Sequence, residues 1–286
     1  MFWTICHQAR HNGLSPLSDA TMFRTVLLAC LLTTAPAMAA TCPDPLRAGI
    51  SELGYSGYLE QELPRGAAAD VLREAARRSG CTVELTLYPR SRLFVEFDQG
   101  HVDVAASAAR SDERDRSGVF IPYAMSRFDL VLASRPARRF HSLADFVTHG
   151  TGTLNIVRGA FYTPDVLRQL ERLRSLARLE EVTDFEMAFR KMAAGRAAGT
   201  LAPEMVSARL LDQFSLAATS HVIAIPESPP MEVGAYLSRN SLSVAEQDAL
   251  ANALRAMAQD GAILAIYRKY LGDAAARALL SGGRRR

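Results

Sequence analysis

Gly100-His101-Val102-Asp103-Val104-Ala105-Ala106-Ser107, continued by Ser111-Asp112-Glu113-Arg114 and then Phe120-Ile121-Pro122-Tyr123, is the stretch that decides the fold. The glycine ends a helix, the apolar run that follows makes a buried strand, and the polar residues beyond it turn the chain. The loop lifts the Arg114 guanidinium to the strand's carboxyl edge, where open α/β sheets bind ligands. On the amino-terminal side, residues 46–50 and 82–88 read as strands, and residues 69–78 and 92–99 as helices. In the first of these helices the apolar residues lie four apart, the charges sit opposite, and Ser79-Gly80 stops it. The order β-α-β-α-β with short links predicts a parallel sheet with right-handed crossovers.

On the carboxyl-terminal side, residues 128–134 read as a further strand, after which the pattern restarts. A Ser142-x-x-Asp145 cap precedes a buried strand at 153–157. Residues 183–195 give the best helix of this half, with Phe185, Ala188, Phe189 and Met192 on one face and Gly195 at its end. Strands at 199–202 and 221–225 follow, and residues 233–237 bring the chain back to the first half. A capping box, Ser243-x-x-Glu246, opens the last helices, which break at Asp260-Gly261 before residues 263–271.

The first 39 residues stand outside this α/β pattern. Met22-Phe23-Arg24, the apolar run 25–35 and Pro36-Ala37-Met38-Ala39 form a secretory signal peptide with an Ala-x-Ala cleavage site, translation starting at Met22. No later segment has 18 uninterrupted apolar residues. An exported, periplasmic protein is the expectation. The net charge of +3 is matched by the tail Arg284-Arg285-Arg286, which leaves the rest near neutral. Lys191 and Lys269 are the only lysines among 33 basic residues, a composition bias rather than a nucleic-acid surface. Cys6 and Cys30 fall in the leader, leaving Cys42 and Cys81 in an oxidising compartment. A structural disulfide is predicted, both sulfurs lying at one sheet edge if the strands they flank are parallel neighbours. Free thiols and a redox pair are the alternatives, the latter lacking a Cys-x-x-Cys.

Taken in order, "GHVD", "SDER", "SLADF", "FRKMAAGRAAG" and "RAMAQDGAILAIYRKYLGD" resemble the bacterial solute-binding proteins of family 3, the type II periplasmic binding fold, over residues 44–273. The resemblance implies two α/β lobes, each a mainly parallel sheet flanked by helices. Lobe 1 would be residues 40–134 plus 233–286 and lobe 2 residues 135–232, joined by two hinge strands around a cleft. It also implies that Arg114, a planar and permanently charged fork, grips a ligand carboxylate. The remaining candidates of the first lobe are Ser107, Arg90, Arg110 and the loop carrying Glu52, Tyr55 and Tyr58, the tyrosines as an aromatic wall. The second lobe would contribute Gly159, Phe161 and Tyr162 ahead of a Thr163-Pro164 helix start, whose backbone N–H groups can hold an anion.

Four positions depart from the family pattern. Ala160 and Phe161 stand where two hydroxyl residues usually follow the glycine, Ala109 replaces a serine, and Pro203 replaces the aspartate that holds a ligand ammonium, with Glu204 next to it. An acidic or multiply carboxylated ligand fits these changes, with Arg90, Arg92, Arg110 and Arg158 on segments that could face the cleft. His101, His141, His149 and His221 have no metal-ligand spacing, and there is no Gly-x-Ser-x-Gly, Walker loop or Cys-His pair. The reading is therefore a monomeric solute-binding protein without cofactor or metal, capturing a small carboxylate-bearing ligand for an ABC permease or a membrane sensor. One rival is a periplasmic cyclohexadienyl (prephenate or arogenate) dehydratase on the same fold, with Glu204 or Glu52 as general acid. Another is a sensor or scaffold module with a degenerate pocket.

Overall fold

The computed structural model describes residues 42–281. The signal-peptide reading and the arginine tail lie outside them. In chain order the elements are β1 (Leu46–Ser51), β2 (Tyr58–Glu60), β3 (Leu63–Arg65), α1 (Ala67–Arg78), β4 (Val83–Tyr88), α2 (Arg90–Asp98), β5 (Val104–Ala109), α3 (Asp112–Ser117), β6 (Gly118–Ser126) and β7 (Phe128–Leu132). They continue with α4 (Leu143–His149), β8 (Leu154–Val157), α5 (Pro164–Ser175), β9 (Leu179–Val182), α6 (Phe185–Ala193), β10 (Gly199–Pro203), α7 (Glu204–Gln213), β11 (His221–Ala224), β12 (Met231–Ser238), α8 (Val244–Gln259) and α9 (Ala262–Leu280). A single 3-10 turn, Gly54–Ser56, follows β1.

Two five-stranded sheets result, β4-β1-β5-β12-β6 and β11-β7-β10-β8-β9. In the first, β1 runs parallel to β4 and β5, as the sequence predicted, while β12 returns antiparallel between β5 and β6. In the second, β8, β9 and β10 are parallel, and β7 lies antiparallel between β10 and β11. Strand β7, read from sequence as the end of the first half, thus belongs to the second sheet. β6 fills the edge of the first sheet instead, and Arg127 alone separates the two strands, so the chain crosses there and returns between β11 and β12.

Helices cover both faces of each sheet, which explains why the strands read as continuous apolar runs. One face of the first sheet buries Leu46, Ile50, Leu72, Leu254 and Ile263 under α1, α8 and α9. The other face buries Leu93, Phe97 and Tyr236. In the second sheet Leu143, Phe146 and Leu170 pack on one face, and Phe185, Phe189, Met192 and Val206 on the other.

The aspartate of the "GHVD" motif has a structural task. Asp103 is fully buried and accepts the Arg47 backbone N–H at 2.8 Å and its Nε at 3.1 Å, tying the start of β5 to β1. Cys42 and Cys81 form a disulfide with their Cα atoms 5.7 Å apart. The bond flanks the parallel pair Leu46 and Val83, at one edge of the sheet as expected. Among the described residues no helix is long and apolar enough to cross a membrane, and no group of three His, Cys, Asp or Glu side chains is placed to hold a metal ion.

Candidate functional site

A cavity of about 450 Å³ opens between the carboxyl ends of the two sheets. Its walls come from the segment after β1 (Glu52, Leu53, Ser56), the link from β4 into α2 (Tyr88, Pro89, Arg90, Ser91) and the end of β5 (Ser107, Ala109). The second sheet supplies residues 157–161 after β8, residues 183–185 after β9, and Pro203, Met205 and Val206 after β10. Met125–Phe128, Met231 and Val233 line it where the chain crosses between the sheets. Parallel strands expose their carboxyl-end loops on one side, so a cavity at that edge is where this topology places a ligand.

Ser107 reaches the wall because β5 bulges. Gly234 and Tyr236 of β12 pair with Ala108 and Ala105, so β5 carries one residue more than its partner across the same interval. Ser107 takes up the excess at φ +53°, a left-handed conformation that costs a non-glycine residue energy. Two hydrogen bonds hold it: its N–H donates to the Tyr123 hydroxyl at 3.0 Å, and its carbonyl accepts from Arg90 Nη1 at 3.2 Å.

Arg90 is the cation of this wall that lacks a counter-ion. Its side chain is half-buried, lies 5.1 Å from the centroid of the Phe94 ring, and has no acidic group within ion-pair distance among the described residues. Burial, and then the charge of Arg114, pull its pKa down to about 10. A guanidinium shifted in this direction gains most from an anion. The other two arginines on the wall already have partners, Arg127 with Asp129 at 2.8 Å and Arg158 with Glu181 at 3.7 Å.

Six of the residues singled out in the sequence meet at this cavity: Glu52, Arg90, Ser107, Arg158, Gly159 and Phe161. Arg114 stands behind the wall. Its Nη1 donates to the Ala109 carbonyl at 2.7 Å and its guanidinium stacks 3.8 Å from the Phe94 centroid, so Phe94 carries both arginines. Arg110 pairs with Asp115 at 2.9 Å and lines a smaller cavity of about 300 Å³, with Phe161 common to both. Arg92 pairs with Glu96 on α2. Tyr55 packs edge-on against Tyr58 at 6.3 Å and against Tyr270 at 5.8 Å, away from the cavity wall. Tyr162 is buried against Phe128, with its hydroxyl accepting the Val157 N–H at 3.2 Å. Glu204 opens α7 beside the Arg127–Asp129 pair, its carboxyl pushed up by burial and then by the charge of Asp129. In the Gly159 loop the Ala160 N–H is turned inward onto the Val157 carbonyl at 3.3 Å.

Met125, Phe128, Met205 and Met231 also shape the cavity, and sequence reasoning did not select them. They come from three distant segments with nothing local to join them. Asp184 was noticed only as a helix start, and it does cap α6, accepting the Met187 N–H at 2.7 Å. With Glu186 it pushes the exposed Glu52 carboxyl up, though burial is the larger cause.

The turn Gly54–Ser56 of the first half rests directly on α7 of the second. A Cβ at Gly54 would lie 2.3 Å from the Met205 carbonyl oxygen and 2.4 Å from the Val206 Cα. Beside this contact the Arg209 guanidinium of α7 sits 4.4 Å over the Tyr58 ring.

The sequence profile of the bacterial extracellular solute-binding proteins, family 3, matches residues 51–273. No curated protein matches the sequence. Among solved structures, an ancestral arginine-binding protein bound to glutamine superposes with a TM-score of 0.66 at 18% identity, covering 81% of this chain and 99% of that one. A histidine kinase sensor domain with similarity to periplasmic binding proteins gives 0.65 at 20% identity, covering 81% and 97%. The arginine-, lysine-, histidine-binding protein ArtJ of Geobacillus stearothermophilus gives 0.64 at 16% identity, covering 80% and 96%.

Proposed function

Since this chain belongs to the bacterial extracellular solute-binding proteins, family 3, we propose that it captures a small carboxylate-bearing solute in the cleft between its two sheets. It would hand the solute to an ABC permease or report it to a membrane sensor, working in the periplasm after export through the segment 22–39. The observation that carries this reading is Arg90, a half-buried guanidinium on the cavity wall with no acidic group beside it among the described residues. The two sheets act as lobes hinged at Arg127 and between β11 and β12. A ligand that touches both stabilises the closed arrangement and shifts the population towards it.

The test is a thermal-shift screen of the full chain, disulfide intact, against amino acids and mono-, di- and tricarboxylates, with Arg90→Ala in parallel. A carboxylate that raises the melting temperature of the wild type and not of the variant supports the reading. Stabilisation by uncharged solutes alone, equal in both proteins, refutes it. The raised carboxyls of Glu52 and Glu204 favour one second reading, a dehydratase using either as general acid. Proton NMR of the bound carboxylate over hours separates the two, because a binding protein returns its ligand unchanged.

A further inference from the structure

Resting on the reading above, the geometry points to a narrower solute class: a monocarboxylate with an apolar body and no ammonium on the carbon next to its carboxylate. The charged group that acts on Arg90 is a second cation, Arg114, held across the Phe94 ring, and its other titratable neighbour is the buried hydroxyl of Tyr123. No carboxylate takes part. A carboxylate gripped by Arg90 brings its α-carbon into the field of two guanidinium groups. An ammonium on that carbon would leave water beside two cations, with no acid among the groups that act on Arg90, and a buried cation without a partner is strongly disfavoured.

The acids that do line the cavity stand elsewhere. Asp184 accepts one hydrogen bond on each oxygen, from the Met187 N–H and the Thr183 hydroxyl, and is not among the groups that act on Arg90. Glu52 is exposed at the rim and feels Glu186, Asp184 and Arg209 rather than Arg90. Much of the wall is apolar, with Met125, Phe128, Val157, Met205 and Met231 in contact with the space beside the small hydroxyl residues Ser56, Ser91 and Ser126. Unbranched thioether side chains adjust to irregular apolar shapes and make favourable contacts with aromatic rings. One unpaired cation therefore faces one carboxylate, and the rest of the wall suits a hydrocarbon or aromatic body.

Isothermal titration of the full chain with matched pairs tests this: 3-phenylpropanoate against L-phenylalanine, and 4-methylpentanoate against L-leucine. Glutarate and L-arginine complete the set. In both pairs the acid lacking the amino group is expected to bind at least 10-fold tighter, and Arg90→Ala to weaken it at least 10-fold while leaving 3-phenylpropan-1-ol unchanged. Equal or tighter binding of the amino acid in either pair overturns the inference. Binding of glutarate or L-arginine with neither pair bound overturns it too, yet leaves capture of a carboxylate standing. If no carboxylate binds, both fall together.

Discussion

Replacing Gly54 by alanine probes the contact between the two halves directly. Gly54 has φ +57°, and an added Cβ would meet the Met205 carbonyl oxygen at 2.3 Å. Ordinary contact begins near 3.4 Å, so α7 would have to withdraw by about 1 Å. The obstacle is helix backbone, which cannot rotate away as a side-chain tip can. Two costs follow. The left-handed conformation alone costs alanine about 1–2 kcal/mol, and overpacking at a tight contact adds about 1–3 kcal/mol. The second cost acts only when the turn rests on α7, so it disfavours the closed arrangement specifically. It should weaken a ligand that bridges the cleft by about 5- to 150-fold. Gly80→Ala isolates the first cost, because Gly80 shares the left-handed conformation at φ +72° and its Cβ would meet nothing within 4 Å. The assay is small-angle scattering with a thermal melt on both variants. Gly80→Ala should lower the melting temperature by roughly 2–8 °C with the wild-type scattering profile, and Gly54→Ala should enlarge the radius of gyration as well. Indistinguishable scattering and melting for the two variants would refute the reasoning.

Three further outcomes follow from the same structure. Cys42→Ser opens a loop closed across a sequence separation of 39, worth about 4 kcal/mol in the chain-entropy model, so calorimetry should show a loss of roughly 10 °C; a loss under 3 °C would count against it. Asp103→Ala leaves the Arg47 backbone N–H without its acceptor and should cost about 2–3 kcal/mol by urea denaturation, tempered by the 44% exposure of the Arg47 side chain; an unchanged midpoint would contradict the assignment. Glu204→Gln tests the sign of a raised carboxyl. The folded state holds the Glu204 proton more tightly than the unfolded chain, so the contribution of Glu204 to stability falls as pH rises from the unfolded carboxyl value through the raised folded one. The melting temperature of the variant minus that of the wild type should thus be near zero at acid pH and turn positive as pH rises towards neutrality. A difference that turns negative over this range would place a favourable charge at Glu204.

The sequence makes legible whatever is decided within one strand-helix unit. The β1-α1-β4-α2-β5 order, the Gly100 stop and the pairing of Cys42 with Cys81 are of this kind, since periodicity and short links leave one parallel arrangement. The change of sheet at Arg127 is not. Ser126-Arg127 carries no glycine or proline, and two apolar runs on either side of one arginine look the same whether they join one sheet or two. Tyr162 shows the same limit at the scale of a side chain. Its place after Gly159 put it near the cleft, but the loop turns its hydroxyl back to the Val157 N–H. Nor is there local information by which Met125, Met205 and Met231 could have been grouped, because the shared wall exists only after two crossovers.

The arginines show how far a motif can carry and where physics must take over. The "SDER" pattern pointed to Arg114, and the structure does bring that residue to the carboxyl end of β5, at the right corner of the right sheet. What the pattern could not contain is the competition for its guanidinium. The Ala109 carbonyl and the Phe94 ring both engage the Arg114 guanidinium. The same ring then bears Arg90, which is also anchored on the carbonyl of the bulged Ser107. A strained residue, an aromatic ring and a second cation thus hold one guanidinium at the wall with its charge unanswered. A half-buried guanidinium without a neighbouring acid is costly to keep empty, and an arriving anion offsets part of that cost against its own desolvation. On the proposed reading the two arginines act as one device, with Arg90 as the contact for a carboxylate and Arg114 as the second positive charge behind it.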